Sequence, residues 1–309
     1  VTSGEISFRD PAAAPRLTPY DKGRFQLTLG IRTIPASEWI EGDRHYPAHM
    51  AEKTRLLAER PAEVFAALPE SRPAQAECLS KLLSHLEEHH PGLVRQVEHR
   101  LETADGRVLD RESDSLAPLD LAGRLVQEDL CLMALAGGTY RLIAASLCFP
   151  ARWRLADKLG RPIAEIHNPV PGFNDRLARP VDRFFAGITP EQTYLRLNWS
   201  VIDDPTLFQP TGHGRSVFDP SITPDVIDQR LHLRVERQTF VRLPESGVLV
   251  FGIKTVVDPI GVIADRPDLA AALLGSLRGM PEDMRAYKSL GPFAEALEAW
   301  LLRHSRVSG

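Results

Sequence analysis

Residues 140–173, YRLIAASLCFPARWRLADKLGRPIAEIHNPVPGF, decide how the chain is read. The run Tyr140–Phe149 is β-like and ends at Pro150. A short helix-like stretch follows, with Trp153, Leu155 and Leu159 on its apolar side, and Gly160 stops it. Then comes His167, in a segment stiffened by Pro169 and Pro171. Two prolines fix φ and remove two backbone donors, so the imidazole sits on pre-organised backbone. That suits a metal ligand or a catalytic base, and equally an ordinary tight loop built around a structural histidine.

Working outward, an apolar run precedes this stretch and ends at Gly137-Gly138. Three β-like segments follow it, at 194–203, 231–244 and 247–257, the last two joined by the turn-forming Pro244-Glu245-Ser246-Gly247. Two strands, short helices and three strands predict a five-stranded antiparallel sheet over residues 115–257. Pro180–Ile188 reads as a helix with proline at its start, and the polar gap from Asp204 to Gln229 as a long functional cover or mobile loop. Upstream, Gly23–Ile34 reads as a strand, and Ser37 as the cap of a helical start. Residues 47–68 read as two helices broken at Pro61, and residues 73–90 as a third with Cys78, Leu79, Leu82, Leu83 and Leu86 on its apolar stripe. LVRQVEHRLE (93–102) continues as a further helix, and Asp105-Gly106 centres a hairpin turn. Pro267–Arg303 is helical again, broken near Gly279–Pro281 and Gly291-Pro292. The class is α+β, with helical N- and C-terminal extensions.

The 309 residues are 43% hydrophobic and 25% charged, which is globular composition with core enough to need no staples. A net charge of −4 gives no footprint for nucleic acid. Cys78, Cys131 and Cys148 form neither a CxxC pair nor a disulfide framework, so a cytoplasmic location is expected. The N-terminal residues have no signal-peptide character, and no apolar run reaches the roughly 18 residues of a membrane span.

Several motifs carry chemistry. HLEEH (His85–His89) matches an inverted zinc-peptidase pattern, but reads better as the solvated end of a helix. In LRVERQTFVRLP (Leu233–Pro244), alternation puts Arg234, Glu236, Gln238 and Phe240 on one face and Val235, Arg237, Thr239 and Val241 on the other. Such a polar run is either a solvated edge strand or a sheet face aimed into a ligand cavity, where Arg237 could clasp a carboxylate. In RLNWSVIDDPTLF (Arg196–Phe208), Asn198 and Trp199 lie mid-strand, and Asp203-Asp204-Pro205 is a turn or an acid pair. Arg152, Arg154 and Lys158 are a solvated basic face or a seat for an anionic cofactor. Walker, GxGxxG, GxSxG and EF-hand patterns do not occur.

Taken together, SLCFPARWRLADKLGRPIAEIHNPVPGF, LRLNWSVIDDPTLF, LRVERQTFVRLPESGVLVFGIKTVVDPI and the entry segment LGIRTIPASEWIEGDRHYPAHMAEKTRLL resemble the haem-dependent oxidative N-demethylase family, over roughly residues 23–290. The resemblance implies a PAS-like antiparallel sheet with inserted short helices, b-type haem and oxygenase activity. It makes residues 1–22 an N-terminal arm, 23–290 the catalytic domain and 291–309 a C-terminal helix. It implies His167 as the iron ligand, and Arg152, Arg154 and Lys158 as partners of the haem propionates. Asn198, Glu236, Arg237 and Thr239 would face the distal or substrate side, with Glu236 holding a protonated amine and Trp199 adding a cation–π wall. It also implies a small N-methylated amine and O₂ as substrates, and electrons from a separate NADPH-dependent flavin and iron–sulfur reductase. A PAS-type haem or gas sensor, or a haem-free ligand-binding paralogue, remains the competing expectation.

Overall fold

Alternation of side chains, interrupted by one irregularity where β6 passes from Leu132 to Met133, builds the centre of the protein. The structure is a computed structural model that describes residues 15–306. Its strands in chain order are β1 (Ile31–Ile34), β2 (Phe65–Ala67), β3 (Val94–Val97), β4 (Arg100–Thr103), β5 (Val108–Asp110), β6 (Asp129–Ala136), β7 (Thr139–Ser146), β8 (Thr193–Ile202), β9 (His232–Arg242) and β10 (Leu249–Pro259). Seven form an antiparallel sheet in the order β1-β8-β9-β10-β6-β7-β2, and β3-β4-β5 form a small separate sheet. The five strands expected from the sequence are the central ones, and β1 and β2 extend the sheet at its two edges. Gly137 and Gly138 both take positive φ, +62° and +79°, which a two-residue hairpin between β6 and β7 requires.

The two faces of the sheet follow the period of two. Leu130, Leu132, Ala144, Val241 and Val250 point to one side, where helices Tyr46–Glu59, Arg72–His89 and Pro118–Gly123 bury them. Cys131, Met133, Leu142, Phe240 and Ile253 point to the other, against the short helices between β7 and β8. Those helices are Leu155–Asp157, Ile163–Ile166, Phe173–Arg176 and Ala178–Gly187. Helices Pro267–Arg278 and Ala294–His304 pack with Val201 and Leu233 at the far end of β8 and β9. All three cysteines are buried core residues, and burial pushes the Cys78 and Cys148 thiols up to about 12.

Four expectations need correction. The second helix of residues 47–68 ends at Val64, and Phe65–Ala67 is the edge strand β2, paired with β7. LVRQVEHRLE is not a helix but the β3–β4 hairpin: Leu93, Val94 and Leu101 bury beneath helix Arg72–His89, and Arg95 pairs with Glu102 across the strands. Tertiary burial of alternate residues outweighs the helix propensity of the polar ones. Ser37 caps nothing; Pro35 precedes a 3₁₀ turn, Ala36–Glu38, with no side-chain cap. The Gly23–Ile34 segment becomes strand only from Ile31, where it pairs with β8. Of the expected N-terminal arm, residues 1–14 lie outside the described residues. Beyond them Tyr20 is buried, with its ring 5.7 Å from that of Trp199. The Asp105-Gly106 hairpin forms as expected between β4 and β5. Among the described residues, no helix is long and apolar enough to cross a membrane.

Candidate functional site

A cavity of about 950 Å³ lies between the Phe240 face of the sheet and the short helices, and residues 16–32 also line it. That volume is at the upper end of what encloses a cofactor-sized ligand. One part of its wall is apolar, made by Met133, Leu142, Ile163, Phe173, Leu177 and Phe240. Phe240 and Phe251 stack with ring centroids 4.8 Å apart, and Phe184 meets Phe240 edge-on.

His167 lines this cavity at the end of helix Ile163–Ile166. Its ring lies flat on Phe173, centroids 4.3 Å apart and 11° from parallel. Nδ1 is 3.0 Å from the Ile163 carbonyl oxygen. A carbonyl only accepts, so Nδ1 carries the proton and Nε2 keeps its lone pair. Nε2 has no hydrogen-bond partner among the described residues. Burial, the largest cause, pushes the imidazole pKa down to about 4, so the ring is neutral at pH 7.

The basic group stands around this histidine. Lys158 Nζ donates to the Ile166 carbonyl at 2.5 Å, and burial lowers its pKa. Arg152 occupies a left-handed backbone conformation, φ +64°, that costs a non-glycine residue energy. It is held there by its N–H donating to the Gln209 carbonyl at 2.6 Å. Its guanidinium reaches Asp203 at 3.4 Å, and burial is the main cause of its lowered pKa. Arg154 lies at the exposed rim, paired with Asp157 at 3.0 Å. The Asp203-Asp204 pair therefore splits: Asp203 binds Arg152 and Arg215, while Asp204 accepts the Thr206 N–H and shapes the turn.

The sheet supplies a second polar group. Asn198 pairs with Glu236, and Arg196 with Gln238, in the β8–β9 register. Glu236 Oε2 accepts from Asn198 Nδ2 at 3.2 Å and from Gln238 Nε2 at 2.8 Å. Gln238 Oε1 in turn accepts from Arg196 Nη1 at 2.6 Å. Lys288, brought in after helix Glu282–Tyr287, donates to the Trp199 carbonyl at 2.6 Å and lies 5.6 Å from the Trp199 ring. Burial pushes its pKa down to about 8. The neighbouring Tyr287 is pushed up to about 12, again chiefly by burial.

Of the residues singled out from the sequence, His167, Arg152, Arg154, Lys158, Asn198, Trp199 and Glu236 all line the cavity. Arg237 and Thr239 do not. They stand on the opposite face of β9, as the alternation itself requires. Arg237 donates to the carbonyls of Glu38 and Trp39 and pairs with Glu41 at 3.1 Å. Thr239 is fully buried beside Gly252. The Trp199 ring meets Lys288, so its face is already engaged by a cation. Gln238 lines the cavity on the face that alternation gave it beside Glu236, while Arg196, Tyr287 and Lys288 are lining residues that the sequence did not single out. Arg196 stands two residues before Asn198, so strand period alone carried its signal; nothing local marked Lys288 or Tyr287. In HLEEH, Glu87 and Glu88 are exposed at the helix end as expected, while His85 is buried against Trp39, centroids 5.0 Å apart. Among the described residues, no three His, Cys, Asp or Glu side chains are grouped to hold a metal ion by themselves.

Residues 30–298 match the model of a protein family described as haem-dependent oxidative N-demethylase, alpha subunit-like. The match spans the strands that line the cavity, the short helices around His167 and most of the C-terminal helices. The chain belongs to this haem-dependent oxidative N-demethylase alpha-subunit-like family.

Proposed function

We propose that the chain is a haem-dependent monooxygenase that oxidises an N-methyl group of a small amine. The observation that carries this is His167, a neutral imidazole on the lining of an apolar-walled cavity that spends Nδ1–H on Ile163 and leaves Nε2 without a hydrogen-bond partner among the described residues. Iron-ligating histidines characteristically fix their second nitrogen on such an acceptor. The residues fit a haem: the cavity is large, its walls are aromatic and aliphatic, and Arg152 and Lys158 are cations on its lining. In this reading His167 holds the iron, Phe173 fixes the plane of the imidazole, and Arg152, Lys158 and the rim residue Arg154 pair with the propionates.

Haem, when bound, supplies O₂ activation and oxidation of the N-methyl carbon, which leaves as formaldehyde. The protein supplies the rest. Glu236, oriented by Asn198 and Gln238, accepts the ammonium of the amine. The Phe240, Phe251 and Leu177 walls exclude water from the reacting carbon. Arg237 and Thr239 take no part, because they belong to the other face of the sheet. The order of two strands, helices and three strands, with the first of these strands beside the last, supports a PAS-like reading of the sheet. The alpha-subunit-like family implies a multi-component system, and we assign electron supply to a separate NADPH-dependent flavin and iron–sulfur reductase.

Haem titration of the purified protein, followed by reductase-coupled formaldehyde release from N-methyl amines, tests this. A Soret band with formaldehyde release is expected. A protein that binds no haem refutes the assignment. A Soret band with no turnover of any N-methyl compound favours a haem-based sensor.

A further inference from the structure

The charges at the sheet end of the cavity do not balance. Glu236 faces two cations, Arg196 and Lys288, and neither makes an ion pair within 4.0 Å among the described residues. Arg196 commits only Nη1, to Gln238, and Lys288 only one donor, to the Trp199 carbonyl. Glu236 commits only Oε2, leaving Oε1 without a partner among the described residues. The three groups act on one another electrostatically: Glu236 favours the charged form of both cations, and Arg196 disfavours that of Lys288. A half-buried guanidinium with unused N–H groups on a cavity wall is a ready partner for an anionic ligand.

A plain dialkylammonium would add a further positive charge to this excess. A ligand carrying an ammonium and a carboxylate would instead satisfy both signs. The spacing is short, because only the carboxamide of Gln238 separates Arg196 Nη1 from Glu236 Oε2, through contacts of 2.6 and 2.8 Å. We propose that this end of the cavity recognises a zwitterion of the N-methylated amino acid class, with its ammonium on Glu236 and its carboxylate on Arg196 and Lys288. The inference rests on reading the cavity as an N-methyl-amine site, and it narrows the substrate of that site. Arg196 and Lys288 are then specificity residues: they select by charge, while the oxidation takes place at the methyl carbon.

The propionates of haem carry the same carboxylate chemistry, so the experiment separates the two sources. Isothermal titration calorimetry is run on the haem-free and haem-loaded full chain with N-methylglycine, dimethylamine and acetate as probes. N-methylglycine is expected to bind both forms at least about tenfold more tightly than either other probe, the scale of one charge-assisted hydrogen bond. Arg196→Gln is expected to remove that preference and leave haem affinity unchanged. Equal or undetectable binding of N-methylglycine and dimethylamine to wild type overturns the proposal without recourse to a variant. Binding of N-methylglycine only to the haem-free form, with haem affinity lost in Arg196→Gln, also overturns it and gives these cations to the propionates. If haem itself does not bind, the haem reading falls, while N-methylglycine selectivity in the haem-free chain still decides this one.

Discussion

Lowering the pH from 7 to 5 separates His167 from an ordinary histidine as an iron ligand. Only neutral imidazole ligates, so protons compete with iron. A histidine near 6.5 is about one-quarter protonated at pH 7 and almost wholly protonated at pH 5, a loss of ligating form of about 25-fold. Burial disfavours the imidazolium and pushes His167 down to about 4. At pH 5 it therefore remains about 90% neutral, and proton competition costs it only about 1.1-fold. The Nδ1–H bond to Ile163 and the stacked Phe173 hold the same tautomer throughout. The assay is haem titration by absorbance at pH 7, 6 and 5, for wild type and His167→Gln. The variant keeps Arg152, Arg154 and Lys158, the proposed partners of the propionates, so the ratio of the two affinities cancels their titration. That ratio is expected to stay constant within about twofold. A ratio falling about 25-fold by pH 5 refutes the claim that the buried cavity keeps His167 neutral. A His167→Gln spectrum identical to that of wild type refutes ligation at this residue altogether.

Two further substitutions test how the cavity is built. Arg237→Met removes the bonds to Glu38 and Trp39 and the ion pair to Glu41, and is expected to cost about 1–3 kcal/mol in urea unfolding while haem and amine affinities stay within about twofold; a selective loss of ligand binding would return Arg237 to the site. Gly275→Ala drives a methyl group into the backbone carbonyl of Gly23, and is expected to cost about 1–3 kcal/mol and to weaken haem binding, because Gly23, held against that helix, lies between the cavity-lining residues Lys22 and Arg24; an unchanged melting temperature would show that this contact is not tight.

What the sequence made legible was whatever a local period or a chain-stiffening residue enforces. Alternation along β9 by itself separates Glu236 from Arg237, because successive strand side chains cannot share a face. Assigning all of Asn198, Glu236, Arg237 and Thr239 to one cavity set that rule aside, and the sheet restores it. Gly160, Pro169 and Pro171 marked a tight segment, and the structure places His167 there beside Phe173. Short strands were illegible for the opposite reason. Four residues such as Val94–Val97 span barely one helical turn, too few to distinguish a period of 2 from one of 3.6, and their burial beneath helix Arg72–His89 decides the matter. Lys288 was illegible because its role depends on a distant helix end meeting the Trp199 carbonyl. The charge at the sheet end therefore could not be added up from the strands alone. Among the β8 and β9 residues that line the cavity, one guanidinium, Arg196, stands against one carboxylate, Glu236, a pair that looks neutral; Arg234, on the same face of β9, is spent on the carbonyls of Phe149 and Leu207. Lys288 breaks that neutrality, and a cavity that looked built for any small amine becomes one that calls for an anion beside it.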